Sequence, residues 1–78
     1  LDNTIMEVLT NRMKIIEEIG TYKKQNNITI LQPDRWEKIL TRVLEEARKN
    51  NLSEELVERV FKAIHQASID RQTDIMNE

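Results

Sequence analysis

The sequence contains no cysteine, so disulfides, thiolate nucleophiles and thiolate metal sites are excluded. It has one histidine, His65, with no second one at metal-ligand spacing, and neither a metal nor a cofactor is expected. A Ser-His-Asp triad on His65 is conceivable, but nothing marks a nucleophile. An excess of one charge is also missing: 33% of residues are charged, yet the net charge is only -2. A nucleic-acid partner is therefore not expected, because such binders usually carry a strongly basic face. No apolar run approaches the roughly 18 residues that a bilayer span needs, so no membrane partner is expected, and the composition fits the cytoplasm. Gly20 and Pro33 are the only glycine and proline, and aromatics make up 4%. Such a chain has few places to turn. With short β-branched runs, it is expected to be all-α. At 78 residues it is one domain at most, and a domain of this size buries only about 60% of its unfolded surface.

Apolar residues at steps of three and four mark three helices. The first covers about 1–26, with Ile5, Val8, Leu9, Ile15, Ile16, Ile19 and Tyr22. Gly20 interrupts it at a cost of about 1 kcal/mol relative to alanine, offset by close approach of another helix. Asn26 and Asn27 end it. The short apolar run from Ile28 to Leu31 has no partner strand and reads as a loop tucked against the helices. Pro33 opens the second helix, 33–49, where proline is tolerated; its stripe is Trp36, Ile39, Leu40, Val43 and Ala47. Asn50 and Asn51 stop it. Ser53 is a good N-cap for a third helix over 53–76, with Leu56, Val57, Val60, Phe61, Ile64, Ala67 and Ile75 as its stripe.

The first helix is about 39 Å long and the second about 25 Å, at 1.5 Å per residue. A monomeric bundle would leave much of the first helix without a neighbour, although its stripe continues. A symmetric, intertwined homodimer covers the overhang. A helix from another protein is the alternative.

Polar residues interrupt these stripes at particular places. Arg12, Ile16, Ile19 and Lys23 fall at steps of four, three and four, so two cations lie on nearly one line among isoleucines. Buried cations need anionic partners. The alternative is that both snorkel to solvent. Ser68 and Gln72 continue the line Val57, Phe61, Ile64. They either face a ligand or bond another helix. Arg35, one turn before Ile39, is a surface arginine or a third cation. His65 is expected at the rim or in a structural role. A cavity lined by Arg12, Lys23, Arg35, Ser68 and Gln72 would hold a small multiply anionic molecule. It would act by positioning and electrostatics, since no nucleophile, base or metal ligand is evident.

The runs Asn11-Arg12-Met13-Lys14 and Glu18-Ile19-Gly20-Thr21-Tyr22-Lys23, the sequence Pro33-Asp34-Arg35 followed by Ile39-Leu40, and Phe61 to Ser68 with Gln72 together resemble the all-α chorismate mutases. The resemblance spans essentially the whole chain. It implies a three-helix fold forming an intertwined homodimer, and the cofactor-free Claisen rearrangement of chorismate to prephenate on the route to phenylalanine and tyrosine. It also implies roles. Arg12 would pair with a substrate carboxylate, and Lys23 would reach a carboxylate and the ether oxygen. Ser68 would bond the ring carboxylate, Gln72 would donate to the ether oxygen, and Arg35 would add positive potential or brace the site.

The chain departs from the family pattern at Gln32 and Trp36, where acidic residues are usual; these two are the further candidates for substrate contact. Leu1-Asp2 is similar to the middle of the family's first helix, so the sequence is expected to be part of a longer chain. The family's upstream arginine, which reaches the partner's site, would precede Leu1. Fusion to another aromatic-pathway enzyme, such as the first-step synthase, is a further expectation. Rival readings are an isochorismate pyruvate-lyase on the same scaffold and a non-catalytic helical interaction module.

Overall fold

The computed structural model describes residues 1–78 and contains three helices and no strand: α1, Asp2–Gln25; α2, Pro33–Lys49; and α3, Glu54–Met76. The all-α expectation holds. α1 and α3 each begin one residue later than the spacing predicts, and α1 ends one residue earlier. The run from Ile28 to Leu31 is loop, with Ile28 and Ile30 half-buried and Leu31 exposed.

Paired asparagines end the first two helices by the same device. Asn27 and Asn51 are the non-glycine residues with positive φ, at 53° and 55°. This left-handed conformation reverses the chain after the C-cap, and asparagine tolerates it better than most residues. After α1, the Ile28 N–H donates to the Lys23 carbonyl at 2.9 Å, and the Asn27 N–H to the Lys24 carbonyl at 3.5 Å. After α2, the Leu52 N–H donates to the Ala47 carbonyl at 2.8 Å, and the Asn51 N–H to the Arg48 carbonyl at 3.3 Å. Each end is a Schellman motif, which satisfies carbonyls that would otherwise lack partners. α2 begins with Pro33 at its first position, and α3 is capped by the preceding Ser53, whose Oγ accepts the Leu56 N–H at 3.2 Å.

The chain divides into two compact units, Leu1–Ile30 with Ser68–Glu78, and Leu31–Ala67. In the first, Ile16, Gly20, Gln72 and Ile75 are buried. Gly20 lets α1 and the end of α3 come close. A Cβ there would stand 3.0 Å from Ile75 Cδ1, 3.3 Å from Gln72 Cγ and 3.4 Å from Gln72 Cα. Even alanine would therefore need its neighbours to give way. At the edge of this contact the Arg71 Nε donates to Glu17 at 3.2 Å, and the Lys24 Nζ donates to the Glu78 carbonyl.

The apolar residues of α1 form two rows rather than the single stripe expected. Leu9, Met13, Ile16 and Gly20 are buried or half-buried. Leu1, Ile5, Val8, Ile15, Ile19 and Tyr22 are between 37% and 94% exposed. Arg12 belongs to this second row and is exposed, as in the solvent-facing alternative, because the first unit covers only one side of α1.

In the second unit Val43 and Ala47 are buried. Trp36, Ile39, Leu40, Val57, Phe61 and Ile64 are half-buried. Leu56, Val60 and Ala67, assigned to the α3 stripe from spacing, are exposed; they stand on the row beside the covered one. Arg48 pairs with Glu54 at 3.0 Å across the α2–α3 turn.

The left-handed turn makes Asn51 a test of the helix stop. Asn51→Val should destabilise by about 1–2 kcal/mol, the usual cost of placing a Cβ-branched residue there. Asn51→Gly should leave stability within about 0.5 kcal/mol of the parent or raise it. Urea unfolding followed by circular dichroism measures both, and equal costs for the two variants would contradict the assignment.

Candidate functional site

Gln72 is the buried polar residue of the molecule, 4% exposed. Its place follows from the close contact at Gly20, which packs α1 onto the Gln72 stem. The amide Nε2 donates to Ser68 Oγ at 2.7 Å, one helical turn back. The other end of the amide, Oε1, is buried with no hydrogen-bond partner. An orphaned buried acceptor costs about 1–3 kcal/mol, so this position is not optimised for folding alone. The unpaired atom is an acceptor, so an anion does not complete its bonding; what the amide offers an anion is the second N–H of Nε2.

Lys23 belongs to the same unit and is half-buried. Its Nζ donates to the Ile30 carbonyl at 3.2 Å, which ties the side chain to the loop after α1. An ammonium offers three donors and no acceptor, and its partial burial favours a nearby anion. Arg12 also lies in this unit, on the exposed row of α1 between Val8 and Ile15. Its planar guanidinium suits two-point binding of a carboxylate.

The other three candidates lie in the second unit. Gln32 is half-buried and precedes Pro33; its carbonyl accepts the Trp36 N–H at 3.1 Å and opens α2. Arg35 is exposed in the first turn. Trp36 is half-buried, and its ring stacks on His65 with centroids 4.1 Å apart and planes 9° from parallel.

The structure thus joins Ser68 and Gln72 directly, puts Arg12 and Lys23 in their unit, and puts Gln32, Arg35 and Trp36 in the other. The His65 stack was not anticipated by the sequence reading. Its signal was present: Phe61, His65, Ser68, Gln72 and Ile75 follow one another at steps of four, three, four and three along α3, and all five are buried or half-buried. No group of three or more His, Asp or Glu side chains could hold a metal ion. No helix is long and apolar enough to cross a membrane.

Comparison with known proteins gives a family match and a relative. A family model described as chorismate mutase type II matches residues 1–73. The chain is 29% identical over 77 residues to a bifunctional chorismate mutase/prephenate dehydratase of Buchnera aphidicola subsp. Schizaphis graminum (strain Sg). That match takes in 99% of this chain and 20% of the relative, so the chain spans about a fifth of the relative's length. No solved structure matches.

The orphaned amide oxygen can be tested by stability alone. Gln72→Met keeps the side-chain volume and removes the buried acceptor, so it should be as stable as the parent or more stable by about 1 kcal/mol. Gln72→Ala should lose about 2 kcal/mol or more through the cavity it leaves. Urea unfolding decides; a large loss for methionine would show that the amide is a structural asset.

Proposed function

The chain belongs to the chorismate mutase type II family, and from that premise we propose that it converts chorismate to prephenate. The observation that carries the reading is the buried Gln72 amide, whose Nε2 gives one of its two N–H groups to Ser68, in the unit that also holds Arg12 and Lys23.

The reaction takes place within one molecule. The bond from the ring carbon to the ether oxygen breaks as a carbon–carbon bond forms across the ring, and no proton need move to or from the protein. Two tasks fall to the site. It must hold the enolpyruvyl chain over the ring, and it must stabilise the negative charge that grows on the ether oxygen. Arg12 and Ser68 serve the first task by binding the two carboxylates, which converts floppy substrate into the reactive geometry. Lys23 and Gln72 serve the second as donors fixed in place before the charge develops. Gln32, Arg35 and Trp36 are the further candidates by the family pattern alone, Gln32 and Trp36 standing where acidic residues are usual.

The working form in this proposal is a homodimer. The exposed row Leu1, Ile5, Val8, Arg12, Ile15, Ile19 and Tyr22 runs at alternating steps of four and three. That is the seam spacing of paired helices. A second copy covers it and brings Arg12 out of water. Fusion to a second enzyme, of the kind named in the bifunctional chorismate mutase/prephenate dehydratase relative, is part of this proposal.

Purified protein should convert chorismate to prephenate. Arg12→Ala and Gln72→Ala should each lower kcat/KM by roughly 10²–10³ with helicity retained, the usual loss for a charge-stabilising donor. Absence of prephenate from the parent would refute the reading, and pyruvate released from isochorismate in its place would assign the lyase. Ile15→Lys should abolish the dimer in light scattering, along with the activity. A monomeric parent that is fully active would exclude the dimeric site.

A further inference from the structure

We propose that Ser68 and Gly20 are positioning residues that decide which end of the Gln72 amide faces the reacting oxygen. This inference rests on the chorismate reading given above.

The two ends of a carboxamide are nearly alike in shape and opposite in hydrogen bonding: the nitrogen donates and the oxygen accepts. Only the nitrogen end can stabilise negative charge on an ether oxygen. The amide must therefore be held one way round. Oε1 is buried with no partner, so nothing at that end anchors it. The orientation rests on the bond from Nε2 to Ser68 Oγ at 2.7 Å.

A serine hydroxyl can serve either end of an amide, by accepting from the nitrogen or by donating to the oxygen. It loses that freedom when it meets a carboxylate. An ionised carboxylate only accepts, so the hydroxyl must spend its one proton there. What it then offers Gln72 is a lone pair, and the amide must answer with an N–H. Carboxylate binding thereby selects the donor orientation. One proton of Nε2 goes to Ser68, and the second is left for the ether oxygen.

Gly20 fixes the stem of the same side chain. A Cβ at this position would stand 3.3 Å from Gln72 Cγ and 3.4 Å from Gln72 Cα. The 3.3 Å approach means that the Gln72 stem must give by a few tenths of an ångström, while the Cα distance is ordinary contact. Ile75 Cδ1, at 3.0 Å, is the end of a flexible side chain and can move aside. The displacement therefore falls on Gln72. Alanine gains helix propensity over glycine but crowds Ile75 Cδ1 and Gln72 Cγ, so stability alone does not report on the amide, and the kinetic readout is needed.

The test is steady-state kinetics on the intact protein, with single and double variants checked for dimer mass and helicity. Ser68→Ala should raise KM by roughly tenfold through the lost carboxylate contact and lower kcat by roughly tenfold to a hundredfold through the misdirected amide. Ser68→Thr, which keeps the hydroxyl, should restore kcat. In a Gln72→Ala background, Ser68→Ala should still raise KM but change kcat by less than about twofold, because the group it orients is gone. Gly20→Ala should lower kcat by roughly tenfold with KM unchanged, and it too should lose this effect in the Gln72→Ala background. An active parent in which Ser68→Ala lowers kcat by the same factor with and without Gln72 would overturn the role of Ser68. Unchanged kcat in Gly20→Ala would overturn the role of Gly20. A parent with no prephenate formation overturns the chorismate reading itself, which is a separate and distinguishable result.

Discussion

The contact between Gly20 and the end of α3 is the constraint on which the first unit depends. Its absent side chain lets backbone approach side-chain stem, with Gln72 Cγ and Ile75 Cδ1 at distances that a Cβ would crowd. Around it lie the buried residues of that unit, Ile16, Gln72 and Ile75. The helix-propensity cost of a mid-helix glycine, about 1 kcal/mol, is set against tight packing and a fixed amide. The same contact thus serves the fold and places the most buried polar group of the candidate site.

Much of this was legible in the sequence because the relevant signals are local. Helix spacing located α1, α2 and α3. The asparagine pairs marked the stops, although the left-handed backbone at Asn27 and Asn51 became evident only from the structure. Ser68 and Gln72 were conspicuous as polar residues on a covered line, and their mutual bond is one turn of one helix. Burial was read less well. α1 carries apolar residues on two adjoining rows, and periodicity cannot say which row its own chain covers. Of the two readings weighed for Arg12, a single chain shows the exposed one, and Leu56, Val60 and Ala67 are likewise exposed in it. The α3 spacing puts His65 on a covered row, but its stacking partner Trp36 lies on a different helix, and spacing within one helix does not name that partner.

The chemistry implied by these residues is spare. Arg12, Lys23, Ser68 and Gln72 are suited to binding and orienting an anion, and the reaction proposed for the chain needs no covalent attack. What such a site must supply is fixed geometry. That places unusual weight on residues that touch no substrate atom, since a donor that can turn over is worth far less than one that cannot. The unsatisfied Gln72 oxygen is consistent with this emphasis: stability is given up at the position where direction counts.

The pairing of chain ends within the first unit has a kinetic meaning. The ion pair between Glu17 and Arg71 joins residues 54 apart in the chain, whereas the second unit is one continuous stretch, Leu31–Ala67. Contacts that close long loops bear the larger chain-entropy cost, and topology of this kind slows the step that forms them. The second unit can condense from sequence neighbours alone, while Gln72 meets Gly20 only once segments about fifty residues apart have found each other. Helix can therefore form before the contact that buries the Gln72 amide, and that contact is a late event of folding.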